Sequence, residues 1–459
     1  MKILNVFELM QYLIILLSLI VSGLVQAKVT ETMLDNGMKI IVKEDHRSPV
    51  MVSQVWYKVG SSYEYGGITG VSHILEHMMF KGTKNLKPNE FSEIISYNGG
   101  RENAFTGRDY TAYFQRMEKS LYPLSFELEA ERMRNLKLDA AEFAKEREVV
   151  AEERRLRTDN DPESLAFEQF VATAYVNSPY HHPIIGWMTD IKNMQLDDLQ
   201  TWYQKWYAPN NAVLVVAGDV EPEKVIAEAR KHFGPLKPSE VKPPKPQQEI
   251  PSLGPKEIKI KLPAKVPYLL MGYPVPSISS ARQVWEPYAL EILAYVLDGG
   301  RSSRIAKNVI RGSKVGSYAG VGYDATNRLQ TLFMLSGSPS GTKTLEDLRR
   351  SLLQEIEKLK TELVDPVELD RIKTQLLASK VYQRDSVFYQ AMQIGKMEAI
   401  GLSWKVAEEF VDKLSKVTAA QLQQVAQKYL VADKLIVASL IVQESTPEQA
   451  VKPSEGLHE

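Results

Sequence analysis

Between residues 29 and 59 hydrophobic and polar positions alternate, as in Met38-Lys39-Ile40-Ile41-Val42 and Val52-Ser53-Gln54-Val55-Trp56-Tyr57-Lys58-Val59. A period of two sends successive side chains to opposite faces, so this stretch predicts strands of a sheet with one face covered. Residues 60–70 (GSSYEYGGITG) interrupt the pattern with glycine. Residues 70–80 (GVSHILEHMMF) then run apolar at helical length, which predicts a buried helix carrying three polar side chains, His73, Glu76 and His77. A second helix is expected over 88–96, and Asn98-Gly99-Gly100 turns the chain into a hairpin-like pair, 103–106 and 110–117, with alternating aromatics. An amphipathic helix over 120–136 and a long charged one over 140–157 follow. Further on, a Tyr207-Ala208-Pro209-Asn210-Asn211 turn leads into the strand AVLVVA at 212–217. Residues 235–256 hold seven prolines and suit an extended, semi-rigid spacer.

Past that spacer the pattern returns. Ile191, Met194, Leu199, Gln204, Lys205, Trp206 and Val213 reappear 223 residues later as Leu414, Val417, Leu422, Gln427, Lys428, Tyr429 and Ile436. Both runs read as a helix followed by a strand, so the chain consists of two related αβ halves. The apolar helix of the first half has a weaker counterpart in 291–300 (EILAYVLDGG), where Glu291, Ala294 and Tyr295 occupy the positions of the three polar side chains. The second half therefore cannot repeat their chemistry.

At 100° per residue His73 and His77 lie one turn apart on one face with Glu76 beside them. Buried polar groups are costly unless something satisfies them. Two imidazoles four apart with an adjacent carboxylate, H-x-x-E-H, suit a zinc ion and the water it activates, the motif of the inverzincins. Core histidines satisfied by backbone carbonyls are the competing reading. The chain has 7 His, and two of them fall in this one pattern. A site on two His needs a third protein ligand. On a wheel of the charged helix, Glu142, Glu146, Val149, Val150, Glu153 and Leu156 share one arc, with Glu148, Glu152 and Arg155 opposite. Glu153 is the best-placed ligand on that arc, and Glu146 a supporting carboxylate that orients it or a ligating His.

Composition narrows the rest. A chain of 459 residues, 44% hydrophobic, buries a large core in two or more domains. A net charge of −1 gives no footprint for nucleic acid or an anionic membrane. The absence of cysteine excludes disulfides and thiol catalysis and leaves any metal site to His and carboxylates. Lys2, an apolar core over 12–21 and small residues Val25 and Ala27 predict a cleaved export signal; a retained anchor is the alternative, although the core is short for a membrane span. Periplasmic or secreted location follows. The polar tail from Glu444 is expected to be disordered.

These residues resemble the pitrilysin/insulinase family of zinc metallopeptidases, in its short bacterial branch, which is similar to the mitochondrial processing peptidase subunits. The resemblance rests on H-x-x-E-H at His73–His77, EREVVAEE at 146–153, SPYHHP at 178–183 with Gly186, the 207–211 turn and Gly218-Asp219. It implies an α+β fold of two homologous αβ domains, each a mainly antiparallel sheet covered by helices, forming half of a clam shell. The segments are then a signal peptide (1–27), a catalytic zinc-binding domain (28–234), a linker (235–256), a non-catalytic domain (257–443) and the tail (444–459). It implies one zinc per chain on His73, His77 and Glu153, Glu76 as the catalytic proton acceptor, and Glu146 in support. It also implies that Arg311 and Tyr318 hold the substrate near the zinc, and that the edge strand at Asn103 and Ala104 pairs with an extended peptide. Arg311, Tyr318 and the zinc motif stand on one chain here, which favours a homodimer; a heterodimer with a related inactive subunit is the alternative. The implied activity is endopeptidase cleavage of small or unfolded polypeptides, set against a catalytically idle peptide-binding or scaffold subunit. His181 and His182, adjacent in a Pro-flanked loop, read as structural, with substrate contact as the other possibility.

Overall fold

The computed structural model describes residues 29–245 and 247–443, so the expected signal peptide and polar tail lie outside the described residues. Strands β1 (Val29–Met33), β2 (Lys39–Glu44), β3 (Val50–Tyr57), β4 (Arg101–Thr106), β5 (Thr111–Glu118) and β6 (Ala212–Gly218) form one sheet in the order β1-β2-β6-β3-β5-β4. Only β2 and β6 run parallel. Strands β7 (Lys256–Leu262), β8 (Tyr268–Val275), β9 (Gly316–Gly322), β10 (Thr331–Pro339) and β11 (Ile436–Val442) form the second, in the order β7-β11-β8-β10-β9. There β7 and β11 are the parallel pair. The five strands of the second sheet thus repeat the order and senses of β2-β6-β3-β5-β4, and the first sheet adds β1 at its edge. Helices Leu196–Trp206 and Ala419–Tyr429, which feed β6 and β11, each open on a capping box, at Gln195 and Thr418. Those caps are 223 residues apart, the offset of the sequence repeat.

Alternation in β2 and β3 predicts one open face, and the structure departs from this. One face of the first sheet (Ile40, Val42, Met51, Val55, Tyr57, Leu214, Val216) packs on the helices of its own half. The other face (Ile41, Val52, Trp56, Val213, Val215) is covered by helix Val387–Ala399, which comes from the second half. Gln54, on this second face with Val52 and Trp56, is buried as a result, and Trp56 Nε1 donates to Gln54 Oε1 at 2.9 Å. Gly395 permits the close approach: a Cβ there would stand 2.1 Å from Trp56 Nε1. The exchange is reciprocal. Helix Pro162–Ala174 of the first half lays Ala166, Phe170 and Val171 on Leu270, Leu332 and Ile436 of the second sheet. This second face is mostly apolar, and Gln54 is the polar side chain of β3 that the neighbouring lobe covers.

The helix that carries the polar trio, Val71–Met78, buries Val71, Ile74, Leu75 and Met78 completely in the first core. Each such side chain contributes roughly 1.5–3 kcal/mol of apolar burial. Its N-terminus is held by two acidic residues. Glu64 accepts from the backbone N–H of Gly70 (2.7 Å) and Ser72 (2.9 Å). Asp190 accepts from the N–H of Gly67 and Thr69 and from the Thr69 hydroxyl. Gly70 (φ +89°) and Gly186 (φ +90°) pack backbone to backbone: a Cβ on Gly186 would meet the Thr69 carbonyl oxygen at 2.4 Å. That contact seats the 181–186 loop against the start of the helix.

Candidate metal centre

His73 and His77 project from one face of Val71–Met78 towards Glu153, near the end of helix Ala140–Arg154. His73 Nε2 lies 3.9 Å and His77 Nε2 3.6 Å from Glu153 Oε2. Ligands 2.0–2.2 Å from a tetrahedral zinc stand roughly 3.3–3.5 Å apart, so a contraction of a few tenths of an ångström closes the site. Among the described residues, this is the one group of three His, Cys or acidic side chains whose ligand atoms lie within 4.8 Å of one another.

The surroundings set each donor's state. Burial, then His77 and Arg157, pull the His73 imidazole down to about 3, so it is neutral at physiological pH and free to ligate. His77 Nδ1 stands 3.0 Å from Glu146 Oε2, which fixes its proton on Nδ1 and leaves the Nε2 lone pair facing Glu153. Burial alone would raise the Glu146 carboxyl, but Lys81, at 2.9 Å, and His77 outweigh it and hold it below its usual range. Glu153 Oε1 is taken by Arg157 at 2.5 Å, which turns Oε2 to the imidazoles. Acceptor atoms converge here with no protein donor between them, an arrangement a divalent cation satisfies. The residues fit zinc.

Glu76, between the two histidines in sequence, is raised by burial against the opposing pull of Thr106 and His77. The Thr106 hydroxyl donates to Glu76 Oε2. Thr106 closes β4, the edge strand, whose outer side carries no neighbouring strand; Asn103 and Ala104 line the same cleft, and the Ala104 N–H is taken by its neighbour's Asn103 Oδ1 at 2.8 Å. The cleft encloses about 880 Å³ and includes Phe105, Arg108, Glu163, Phe167, His181, His182 and Tyr268. His182 is pushed down to about 4 by burial, then by His181, so it too is neutral.

Two expectations are altered. Val149 and Leu156, placed inward on the wheel, are 49% and 65% exposed, whereas Phe143, Glu146, Val150, Ala151 and Arg154 are buried. The inward stripe is rotated because Arg154, read as a surface charge by type, is anchored inside by Glu168 (2.8 Å) and the Gly186 carbonyl (2.8 Å). The helix also ends before 157, widening into a π-helical turn at Arg155–Asp159. Arg311 and Tyr318 do not line the metal cleft. Arg311 ends a π-helical segment, Ile305–Gly312, beside a separate shallow recess, and Tyr318, on edge strand β9, is 56% exposed. Lys81, Thr106 and Glu64 escaped the sequence reading; Lys81 and Thr106 act through contacts between segments distant in sequence, for which spacing gives no signal, and Glu64 through a loop that folds back on the helix N-terminus. Glu291 pairs with Lys380 at 3.6 Å, so the counterpart position in the second half holds an ion pair.

Residues 39–187 match the model of the insulinase family, peptidase family M16, and residues 193–376 match the M16 inactive domain. The zinc protease PqqE of Helicobacter pylori is 36% identical over 361 residues, spanning 77% of this chain and 79% of that protein. This chain belongs to the insulinase family. A zinc protease of Rickettsia felis is 30% identical over 397 residues, 86% of this chain and 93% of that one. The crystal structure of a protease from H. pylori superposes with a TM-score of 0.85 at 31% identity, covering 90% of this chain and all of that chain. Both relatives carry the name zinc protease, and the H. pylori structure has the same pair of αβ lobes.

Replacing Glu146 with Gln removes the charge that orients His77. Zinc affinity should fall about 10–100-fold, read by competition with a chromogenic chelator. An unchanged affinity would show that Glu146 does not support the ligand.

Proposed function

We propose that the protein is an exported zinc endopeptidase of small or unfolded polypeptides, with one zinc per chain, completed by a second copy of itself. The observation that carries the reading is the convergence of His73, His77 and Glu153 next to Glu76 at the end of an unpaired edge strand. Export rests on the apolar segment at 12–21, and no helix of the described residues is long and apolar enough to cross a membrane.

Zinc, when bound, supplies a Lewis acid and an acidified water. The chain supplies the rest. An extended substrate adds to β4 as a further strand, its backbone running past Asn103 and Ala104 towards Thr106. Folded proteins present no such free strand, which restricts the site to unfolded or short chains. Glu76 keeps Oε2 on the Thr106 hydroxyl and uses Oε1 to take a proton from the attacking water, then delivers it to the nitrogen of the departing amine. The Glu146–His77 contact holds the ligating imidazole in orientation throughout.

Support for the second copy comes from placement. Arg311 and the exposed Tyr318 lie on the second lobe outside this cleft, available to a cleft on another chain. Mixing Glu76→Gln protein with Arg311→Ala protein, each silent alone, tests this. With random reassortment about half the dimers are mixed, and each holds one complete site of two, so about a quarter of wild-type cleavage should return. No recovery above the separate variants would contradict completion by a second copy.

A further inference from the structure

Arg108 is the cleft's uncommitted cation. It follows β4 by two residues and lines the metal cleft. Its neighbour Asp109 is saturated: it accepts from the Ser62 hydroxyl (2.8 Å), from Arg328 Nε (3.0 Å) and from the Tyr180 hydroxyl. Arg157, the other arginine of the lining, is held by Glu153, and Glu168 by Arg154. Glu163 sits in the first turn of its own helix, and no carboxylate oxygen of the described residues lies within 4.0 Å of the Arg108 guanidinium. Its Nε is buried without a partner, and the contact it has is the face of Tyr180, 5.3 Å from the guanidinium carbon to the ring centroid. A ring face leaves the N–H donors of a guanidinium unmet. Tyr180 is itself fixed by Asp109 and by the Leu329 N–H at 3.1 Å, so the platform under Arg108 is rigid.

We infer that Arg108 is a specificity determinant that receives a carboxylate of the substrate, from an acidic side chain or from the peptide's own C-terminus. This rests on the peptidase reading above. Planar, forked donors match a carboxylate with two parallel hydrogen bonds. Thr106 marks the reacting bond through Glu76, and Arg108, in the turn that follows β4, lines the same cleft as Glu76 and Thr106. The recognised carboxylate therefore falls one to three residues from the scissile bond, on the side that runs past Thr106.

The test uses zinc-loaded full chain and fluorogenic peptides in matched pairs, Glu against Gln at each of three positions either side of the cleavage point. A second arm compares free with amidated C-termini. Wild type should show kcat/KM roughly tenfold higher for the acid at one position on one side, or for the free terminus. In Arg108→Gln that ratio should fall to about 1, and in Arg108→Glu it should turn to favour Lys over Gln at the same position. The ratio is internal to each protein, so a general loss of activity does not mimic it. A ratio near 1 at every position in wild type, or one that survives in Arg108→Gln, overturns the assignment while leaving the peptidase reading intact. If zinc-loaded wild type cuts none of the peptides, both fall.

Discussion

Glu76→Gln should lower kcat about 10²–10⁴-fold while keeping its zinc. Glutamine has the size of glutamate and offers an amide oxygen to the Thr106 hydroxyl, so the side chain stays in place. It cannot take a proton, and the chain offers no substitute of similar position: His73 and His77 are occupied by the metal, and Glu153 faces them. Steady-state cleavage of an unstructured fluorogenic peptide, with metal content measured on the same sample, separates the two effects. A variant that cuts at the wild-type rate would remove Glu76 from the proton transfers. One that loses zinc as well would make it a structural support of the site.

Glu153→Ala should cost zinc binding itself. Two histidines four residues apart hold a metal weakly, and the third ligand brings the second helix into the site. The loss in affinity should exceed the roughly 10–100-fold expected of Glu146→Gln, because that change touches only the support of a ligand. The fold should survive, since this helix is pinned one residue later by Arg154 on Glu168 and the Gly186 carbonyl. Equilibrium dialysis gives the affinity and a thermal melt of the metal-free protein gives the control. Equal losses for Glu153→Ala and Glu146→Gln would mean that Glu153 is not a ligand.

Much of this was readable in the chain because the signals are local or periodic. H-x-x-E-H on an apolar run placed His73, Glu76 and His77 on one helix, and the 223-residue repeat exposed the two lobes with their shared sheet order. The rest depends on which surfaces meet. Val149 and Leu156 were drawn inward by a wheel that treats every arginine as solvated, whereas Arg154 is buried on Glu168. The buried Gln54 of β3 reflects a helix lent by the other lobe, more than 300 residues along the chain. Thr106, Lys81 and Arg108 gain their roles from side chains brought together by folding. Arg311 and Tyr318 match a family pattern in sequence, yet stand apart from the metal cleft of their own chain.

The central claim is that one zinc, held by His73, His77 and Glu153, makes this chain a peptidase. The direct measurement is a zinc titration of protein stripped with a chelator, with bound metal and peptide cleavage followed together. Cleavage should rise in proportion to bound zinc and level off at one zinc per chain, with none in the metal-free protein. Failure to take up zinc, or cleavage by the stripped protein at the reconstituted rate, would contradict it.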